Sequence, residues 1–250
     1  MLPEQRKQQI VNAVNEKQSI TLGELKDLLK CSESTVRRDI TELDREGKLV
    51  KVFGGALSVN ERTISDELTV LQKSSLNSEE KRRIGEYAAA LIKPGDYVFV
   101  DSGTTTGYLC EYIREKNAVY ITNAVTHARS LTLRGFRVFL IGGEVKDVTE
   151  AIVGETAVLS LQKYRFSIGF FGVNGISLRK GFTTPDIREA MVKNVALLST
   201  DESRRYILAD HDKFGLVSMV SFGESHSAGV ITDREPVEKY ASNLKVIISK

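Results

Sequence analysis

The chain has 250 residues, of which 41% are hydrophobic and 27% are charged, and its formal net charge is +2. This is an ordinary globular composition, and the length fits one large domain or a small domain followed by a larger one. The near-neutral charge excludes a general preference for polyanions, so a nucleic-acid site would depend on the local placement of charge.

The first 57 residues predict three short helices followed by a β-hairpin. Apolar residues at helical spacing indicate two helices within residues 6–30, the second of them capped by Thr21. The hairpin is predicted in "KLVKVFGGAL", a segment that includes Phe53. Three helices and a hairpin of this total length are typical of a winged helix-turn-helix, and we predict that fold for residues 1–57.

The third helix is predicted to carry its charge away from the other two. Ser32 is its expected N-cap, and Gly47 ends it. Arg37 and Arg38 then point outward about 100° apart, so one of them could read a guanine edge while the other holds a phosphate. The buried stripe of this helix is expected to be Val36, Ile40 and Leu43.

The pattern alone leaves DNA binding open. Short hydroxyl side chains and free amides at the helix N-terminus favour a close approach to phosphate, and the two hairpin lysines suit a wing on the DNA backbone. The alternative is that Arg37 and Arg38 pair with Asp39, Glu42 and other carboxylates as a solvated face. The candidate DNA-binding residues are Ser34, Thr35, Arg37, Arg38, Thr41, Lys48 and Lys51.

Residues 58–77 are polar and weakly patterned, which predicts a linker that contains one helical turn. In residues 78–250, strand-like runs that end in turn residues alternate with helical stretches. This alternation predicts a mainly parallel sheet covered on both faces by helices. The predicted strands are "YVFVDSG", "AVYITN", "RVFLIGG", "FSIGFFG", "RYILAD", "AGVITD" and "LKVIIS". The predicted helices are "SEEKRRIGEYAAALI", "TTGYLCEYI", "AVTHARSLTL", "GETAVLSL", "DIREAMVKNVALL" and "PVEKYAS".

One strand-turn-helix segment, "YVFVDSGTTTGYLCEYI", has the features of a phosphate-ester site. Asp101 ends the strand, and Ser102–Thr106 form the turn into a helix whose first amides are free. Such a turn offers close backbone approach at glycine, hydroxyl donors and the positive end of a helix. Neither Gly-Lys-Ser/Thr nor Gly-x-Gly-x-x-Gly is present, which disfavours a nucleoside triphosphate or NAD. The alternative is a plain N-capping turn.

Other polar residues follow predicted strands and should meet at the same edge of the sheet, where α/β proteins bind ligands. Lys213 would add positive charge beside a phosphate, although a single surface lysine is the more common case. Around the start of one helix, "KGFTTPDIREA" contributes Lys180, Thr183, Thr184 and Glu189. The candidate ligand-binding residues are Asp101, Ser102, Gly103, Thr104, Thr105, Thr106, Asn123, Gly142, Gly143, Asn174 and Lys213.

The sequence favours a cytoplasmic protein that uses neither a metal nor another cofactor. Its N-terminus lacks the apolar core of a signal peptide, and no apolar run approaches the ~18 residues that span a bilayer. Cys31 and Cys110 are typical of a reduced compartment. The three histidines are scattered and no Cys-x-x-Cys occurs, so we expect no metal site.

The segment "SESTVRRDITELDREGKLVKVFGGA", with "RKQQIVNAV" before it, closely resembles the N-terminal signature of the DeoR family of bacterial transcriptional regulators. That signature has a Ser, a Thr-(Ile/Val)-Arg-Arg-Asp-(Leu/Ile) core, a later Leu and Gly, and a closing Gly-Gly-Ala. Phe53 stands where the family usually has His. The resemblance implies a winged helix-turn-helix that binds double-stranded operator DNA, with Thr35, Arg37 and Arg38 at the recognition position.

The second half resembles the effector domain of the same family, since "DSGTTT", "TN", "GG" and "AD" with a following lysine occur in the family order. His211 and Asp212 stand where the family usually has small residues. The resemblance implies a Rossmann-like α/β domain similar to ribose-5-phosphate isomerase and glucosamine-6-phosphate deaminase. Isomerases of this fold carry Gly-Ala-Asp-Glu, whereas residues 172–175 here are "GVNG", which leaves Glu189 as a remaining carboxylate. A pocket without its catalytic acids implies a sensor and not an enzyme.

The resemblance as a whole implies a repressor of a sugar-utilisation operon that forms a dimer or tetramer through its C-terminal domain. A phosphorylated sugar bound at Ser102–Thr106 would release it from the operator. The sequence looks most like the branch linked to fructose or lactose/tagatose use, so fructose 1-phosphate is the expected effector. One alternative is a sugar-phosphate isomerase-like enzyme with a nucleic-acid-binding tether. Another is an RNA-binding or scaffold protein, but few aromatic residues occur in residues 1–57 for stacking on single strands.

Overall fold

A computed structural model describes residues 2–17, 19–52, 54–58, 62–64 and 69–249. The chain divides into two units, Met1–Arg62 and Thr63–Lys250. Phe53, which was expected in the hairpin, lies outside the described residues, and so do residues 59–61 and 65–68 of the expected linker.

The N-terminal unit contains three helices and a three-stranded antiparallel sheet. Its elements are α1 (Pro3–Lys17), β1 (Ser19–Thr21), α2 (Leu22–Leu29), α3 (Glu33–Arg45), β2 (Leu49–Val52) and β3 (Gly55–Ser58). The strand order is β1-β3-β2, so the predicted hairpin is present, and β1, which the sequence did not indicate, adds a third strand. The unit has the three helices and the wing of a winged helix-turn-helix, as predicted.

Side-chain caps fix where α2 and α3 begin. The Thr21 hydroxyl accepts a hydrogen bond from the amide of Glu24 at 3.2 Å, and the Glu24 carboxylate accepts one from the amide of Thr21 at 2.9 Å. This reciprocal capping box satisfies amides that have no partner within the helix. Ser32 caps α3 through the amide of Thr35 at 3.3 Å. Both predicted N-caps are therefore confirmed.

The second unit begins with β4 (Arg62–Thr63) at the boundary and continues as an alternation of helices and strands. The helices are α4 (Val70–Ser75), α5 (Ser78–Ala89), α6 (Thr104–Tyr112), α7 (Val125–Leu133), α8 (Glu155–Leu161), α9 (Ile187–Leu198) and α10 (Glu238–Ala241). The strands are β5 (Tyr97–Val100), β6 (Val119–Thr122), β7 (Arg137–Leu140), β8 (Glu144–Lys146), β9 (Ala151–Val153), β10 (Ile168–Gly172), β11 (Gly175–Ser177), β12 (Gly181–Thr184), β13 (Arg205–Leu208), β14 (Leu216–Val217), β15 (Val220–Gly223), β16 (Gly229–Thr232) and β17 (Val246–Ile248).

Seven of these strands form the central sheet in the order β17-β16-β13-β10-β5-β6-β7, and every neighbouring pair is parallel. All seven were predicted, and so was the parallel arrangement. The strand order reverses between β5 and β10, because the chain builds outward from β5 on one side and from β10 on the other. In open α/β sheets the ligand crevice lies at such a switch point, beyond the carboxyl ends of the strands.

Both faces of this sheet are covered, as the alternation predicted. Val98 and Phe170 pack on one face with Ile84 of α5 and with α6, whereas Phe99 and Phe171 pack on the other with α8 and α9. Residues that alternate along a strand point to opposite faces, so strands covered on both sides are apolar throughout. None of the described helices has the length and apolar character that a bilayer span requires.

Candidate DNA-binding helix and candidate ligand site

The predicted apolar stripe of α3 is buried, and Asp39 is buried beside it with 1% of its surface exposed. Arg6 of α1 holds this carboxylate with two hydrogen bonds, from Nε to Oδ2 at 2.5 Å and from Nη2 to Oδ1 at 3.1 Å. The two-pronged contact fixes α3 against α1. The sequence did not reveal this pair, although Asp39 lies three residues after Val36 and so shares its face.

Neither Arg37 nor Arg38 pairs with Asp39 or Glu42, the two carboxylates that the solvated-face alternative named, but Arg37 does have another acidic partner. Asp39 is held by Arg6, and the Glu42 carboxylate lies 2.8 Å from the Lys7 ammonium. Arg37 pairs instead with Glu33, one turn earlier, and both side chains stay more than half exposed. Within the described part of the chain, the exposed side chain of Arg38 has neither an ion pair nor a hydrogen bond.

Two predicted DNA-binding hydroxyl groups are engaged within the helix cap. The Ser34 hydroxyl lies 2.9 Å from that of Ser32, and the Thr35 hydroxyl lies 2.8 Å from the same oxygen. Thr35 is half-buried and Ser34 is exposed. These short side chains therefore organise the first turn of α3. They would also lie at the surface of this turn that a DNA duplex approaches.

The wing is tied to α3 through Lys51. Its amide donates to Oδ1 of Asp44 at 2.8 Å, and its ammonium donates to the Thr41 hydroxyl at 2.9 Å. Thr41 in turn donates to the carbonyl of Arg37 at 2.7 Å. The other predicted wing residue, Lys48, pairs with Glu46 at 2.8 Å. The outward face of α3 and the wing thus form one connected polar surface.

At the switch point of the large sheet, three groups meet where β5 and β10 end. The fully buried carboxylate of Asp101 accepts a hydrogen bond from the amide of Gly172 at 2.9 Å. The Lys193 ammonium of α9 contacts the same carboxylate oxygen and also the carbonyl of Gly172 at 3.1 Å. Burial raises the pKa of Asp101, and Lys193 and the amide of Gly172 oppose that rise. Asp101 thus joins the ends of two strands.

Asn123 joins the end of β6 to the turn after β5. Its Oδ1 accepts from the amide of Ser102 at 2.9 Å, and its Nδ2 donates to the Ser102 hydroxyl at 3.3 Å. Both residues were predicted as ligand contacts on different strands, and the structure brings them together. Their hydrogen bonds fix the course of the turn that leads into α6.

The turn ends at Gly103, whose φ of 151° favours glycine. The first helical hydrogen bond of α6 runs from the amide of Gly107 to the carbonyl of Gly103 at 2.9 Å, so the amides of residues 104–106 have no partner within the helix. Thr105 and Thr106 are buried, whereas Thr104 is half-buried. The first amides of α6 are therefore free, which is the feature that the sequence led us to expect at this turn.

The Thr106 hydroxyl has an internal role. It donates to the carbonyl of Gly103 at 3.0 Å and lies 3.2 Å from Nε2 of His127 on α7. Burial lowers the pKa of His127 to about 4, so this imidazole is neutral near pH 7. Because the Thr106 hydroxyl already donates to Gly103, it can accept a hydrogen bond from His127 when the neutral ring carries its proton on Nε2.

Two of the remaining predicted residues of this edge, Gly143 and Asn174, have close structural neighbours. A Cβ atom on Gly143 would lie 2.7 Å from the carbonyl oxygen of Val153, so glycine at this position permits the close packing of the β8–β9 hairpin. At Gly142, in contrast, a Cβ atom would meet open space. The Asn174 side-chain oxygen lies 3.4 Å from the hydroxyl of Thr184.

Glu189 is buried in a network that contains positive charge. The Thr149 hydroxyl donates to its Oε1 at 2.6 Å, and the Lys146 ammonium lies 3.2 Å from the same oxygen. Burial alone would raise the pKa of Glu189, but Lys193, Thr149 and Lys146 together bring it below its ordinary value. The carboxylate is therefore ionised and engaged near pH 7.

Lys213 lies in a second cluster, beyond the end of β13. Its ammonium is 3.9 Å from Oδ2 of the buried Asp210, whose Oδ1 accepts from Nδ2 of Asn77 at 3.2 Å. Lys81, in the first turn of α5, is 2% exposed, and burial lowers the pKa of its ammonium. The carboxylate of Asp210 opposes that fall, and Lys213 and Lys73 add to it. Lys81 and Lys213 therefore both interact with the carboxylate of Asp210.

The structure thus groups Asp101, Ser102 and Asn123 at one part of the sheet edge and Lys213 with Asp210 at another. Sequence reasoning missed Lys81 and Lys193, because lysines within charged or amphipathic helices give no signal that they are buried. No three His, Cys, Asp or Glu side chains within the described ranges are arranged to hold a metal ion.

Two family models match the chain. The DeoR-like helix-turn-helix domain matches residues 6–62, and the DeoR C-terminal sensor domain matches residues 76–234. Together they cover the N-terminal unit and most of the second unit.

Curated relatives match over nearly the whole length. The uncharacterized HTH-type transcriptional regulator FruR of Bacillus subtilis is 36% identical over 93% of this chain and 91% of its own. The lactose phosphotransferase system repressor of Staphylococcus aureus is 37% identical over 94% of each chain. Among solved structures, ribose 5-phosphate isomerase A of Neisseria gonorrhoeae aligns with a TM-score of 0.40 and 10% identity, over 54% of this chain and 52% of its own.

Proposed function

Because the chain belongs to the DeoR family of transcriptional regulators, we propose that it represses a sugar-utilisation operon and leaves its operator when a phosphorylated sugar binds. The exposed face of α3 and the attached wing would contact the DNA. The edge of the large sheet would hold the effector. The family membership supports the DNA-binding role, and the name of the staphylococcal relative supports repression of sugar genes.

The observation that carries the effector proposal is the presence of two lysines, Lys81 and Lys213, near the buried carboxylate of Asp210. The Lys213 ammonium lies 3.9 Å from Oδ2 of Asp210 and also repels the Lys81 ammonium, whose burial makes its charge costly. A doubly charged phosphate ester would be attracted by these two ammonium groups and would raise the pKa of Lys81 towards its ordinary value. The free amides at the start of α6 offer a second group of donors for an anion.

The same cluster has an acceptor that a hydroxyl group of the effector could reach. Oδ2 of Asp210 is buried and has no hydrogen-bond partner among the residues that the structure describes. A sugar hydroxyl is a donor that would satisfy this oxygen. We expect a phosphorylated sugar, and the resemblance to the fructose or lactose/tagatose branch of the family makes fructose 1-phosphate the first candidate.

The arrangement favours a sensor over a sugar-phosphate isomerase. Residues 172–175 contain no carboxylate, and the amide of Gly172 and the side chain of Asn174 are engaged in structural hydrogen bonds. Glu189 has a lowered pKa and already accepts from Thr149. A general base for proton transfer works best with a pKa near the operating pH and with access to substrate.

Regulation would follow from the oligomer. A dimer or tetramer formed through the second unit would present two α3 helices to successive major grooves of operator DNA in the cytoplasm. The effector would favour a subunit arrangement whose helix spacing does not fit the operator. It can do so only to the extent that it binds that arrangement more tightly.

The test is a thermal-shift screen of the full-length protein with fructose 1-phosphate, fructose 6-phosphate and tagatose 6-phosphate, with free fructose and inorganic phosphate as controls. A ligand at about 100 times its dissociation constant stabilises by roughly 2.7 kcal/mol. A stabilising sugar phosphate should then release the protein from a duplex of its own promoter in a gel-shift assay. Failure to bind that promoter at modest ionic strength, with and without each sugar phosphate, would refute the proposal.

A further inference from the structure

Glu33 and Arg37 form a unit on the exposed face of α3 before any DNA is bound. Nε of Arg37 donates to Oε1 of Glu33 at 2.9 Å, and Nη2 donates to the same oxygen at 2.6 Å. Both donors lie on one side of the planar guanidinium group. One carboxylate oxygen therefore holds the guanidinium by its lateral edge.

This contact leaves the other edge of the Arg37 guanidinium available. Nη1 carries two N–H groups and Nη2 carries one more, and they have no partner among the residues described by the structure. One N–H from each nitrogen points away from the side chain, parallel to the other. Two parallel donors of this kind match O6 and N7 of guanine in the major groove.

The pair also lies where a recognition helix approaches the bases. In helix-turn-helix proteins, residues near the N-terminus of the recognition helix contact base edges. Glu33 is the first residue of α3, and its contact draws the Arg37 side chain back over the first turn. Long side chains on helices lean in this direction without strain.

Arg38 differs from Arg37 because no carboxylate restrains it. Glu42, four residues later on the same helix, is 2.8 Å from Lys7 of α1 and so already has a cation. Within the described ranges no other acidic side chain contacts Arg38. A mobile cation suits a backbone phosphate, which accepts hydrogen bonds over a wide range of directions and carries no sequence information.

We infer that Glu33 is a specificity-determining residue that positions Arg37 to read a guanine, whereas Arg38 holds a backbone phosphate. The inference rests on the proposed operator binding and deepens it by assigning different roles to the two arginines. An exposed ion pair contributes little to folding stability, so its contribution lies in recognition. Holding the arginine in one rotamer before binding reduces the entropy that is lost when it meets a base.

The inference has a signature that a plain surface charge would lack. The Glu33 carboxylate repels DNA phosphates, so its removal should leave binding to random duplex unchanged or stronger. The same removal should weaken the discrimination between a G·C pair and its substitutes, because Arg37 would lose its fixed orientation. Affinity and specificity should therefore change separately.

The experiment uses the full-length protein and an operator selected from a pool of duplexes with a randomised centre. Dissociation constants are measured for this duplex, for each of its single-base-pair variants and for random duplex, over a range of salt concentrations. The variants are Glu33→Ala, Glu33→Gln, Arg37→Ala and Arg38→Ala. Glu16→Gln, on the exposed surface of α1, is the control for the loss of one negative charge.

We expect Arg37→Ala to lose about tenfold or more in discrimination at one G·C pair. Glu33→Ala should lose discrimination at that same pair, and Glu33→Gln should lose less because its amide oxygen still accepts from Arg37. Arg38→Ala should weaken binding to all duplexes alike and reduce the salt slope by about 1.

The inference is overturned if Glu33→Ala keeps the base preferences of the wild type. It is also overturned if Glu33→Ala relaxes a different base pair from Arg37→Ala, since Glu33 would then contact a base itself. A relaxed preference in Arg38→Ala alone would reverse the assignment. A wild-type protein with no preference over random duplex would instead remove the proposed function on which the inference rests.

Discussion

The Lys193 ammonium contacts the carboxylate of Asp101, although the two residues are 92 positions apart in the chain. Asp101 directly follows β5 and Lys193 lies in α9, so the pair links the strand before the candidate ligand-binding turn to a helix on one face of the sheet. Both side chains are buried, at 0% and 4% exposure. A third partner, Gly172, joins β10 to them.

We predict that Lys193→Met will destabilise the second unit by about 3–5 kcal/mol, because it leaves the Asp101 carboxylate buried without its cation. The double variant Asp101→Leu/Lys193→Met should recover much of this loss, since it removes both charges. Urea unfolding followed by circular dichroism measures both changes. A single variant as stable as the wild type would show that the pair is not a structural link.

His127 should make the second unit sensitive to acid. Burial lowers the pKa of His127 to about 4, whereas an unfolded histidine titrates near 6.5. Between these values the unfolded state binds the proton and the folded state does not, so stability falls as the pH drops through this window. The loss attributable to His127 should reach about 3 kcal/mol.

The control for this prediction is His127→Gln, whose amide can still donate to Thr106. Unfolding free energies at pH 7, 6, 5 and 4 should decline less steeply in this variant than in the wild type. Parallel curves for the two proteins would mean that other groups account for the acid sensitivity.

Lys81 and Lys213, the two lysines near Asp210, should govern the response to effector and not the affinity for DNA. Lys213→Ala removes one cation from the site. A hydrogen bond to a charged group contributes about 1.5–3 kcal/mol, so its loss should lower the affinity for a sugar phosphate at least tenfold. We expect a smaller thermal shift with fructose 1-phosphate and poorer release from the promoter, with the promoter affinity intact.

Thr105→Ala, at the start of α6, should give the same pattern if that turn also holds the effector. Lys163→Ala, an exposed lysine after α8, is the matched control and should respond like the wild type. Should Lys213→Ala or Thr105→Ala lose DNA binding while the effector response is unchanged, the assignment of roles to the two units is wrong.

Gly55→Ala should disrupt the N-terminal sheet. A Cβ atom at Gly55 would lie 2.2 Å from the carbonyl oxygen of Ile20, so β1 and β3 could not keep their spacing. We expect a loss of at least about 2 kcal/mol in the stability of this unit and a matching loss of promoter binding.

Gly23→Ala is the comparison, because its Cβ atom would have only the Thr21 hydroxyl nearby, at 3.9 Å, and alanine favours the helix. Thermal unfolding of both variants, together with a gel-shift assay, checks the prediction. Equal stability of the two variants would contradict the close approach at Gly55.

The central sheet was predictable because its strands are apolar on both faces and each ends in a turn residue. "YVFVDSG" and "FSIGFFG" show this pattern, and the strands that they form, β5 and β10, are neighbours at the switch point. The caps at Thr21 and Ser32 were predictable for a different reason, since their hydrogen bonds join residues close in sequence.

Short strands and distant charge pairs could not be predicted. β1 and β11 have three residues each, too few for a periodic pattern, and only pairing with distant strands defines them. Likewise Asp39 and Lys81 have the residue types of an exposed helix face, and their burial depends on elements elsewhere in the chain. The roles of the candidate DNA-binding and effector-binding residues stay predictions.

The tie between Lys51 and α3 limits how this protein could be redesigned. Lys51 meets Asp44 through its amide and Thr41 through its ammonium, so the angle of the wing depends on side chains of the helix. A chimera that received only a foreign α3 would keep its wing but lose the groups that hold it in place. New sequence preferences would be transplanted more successfully with residues 32–52 as a single cassette.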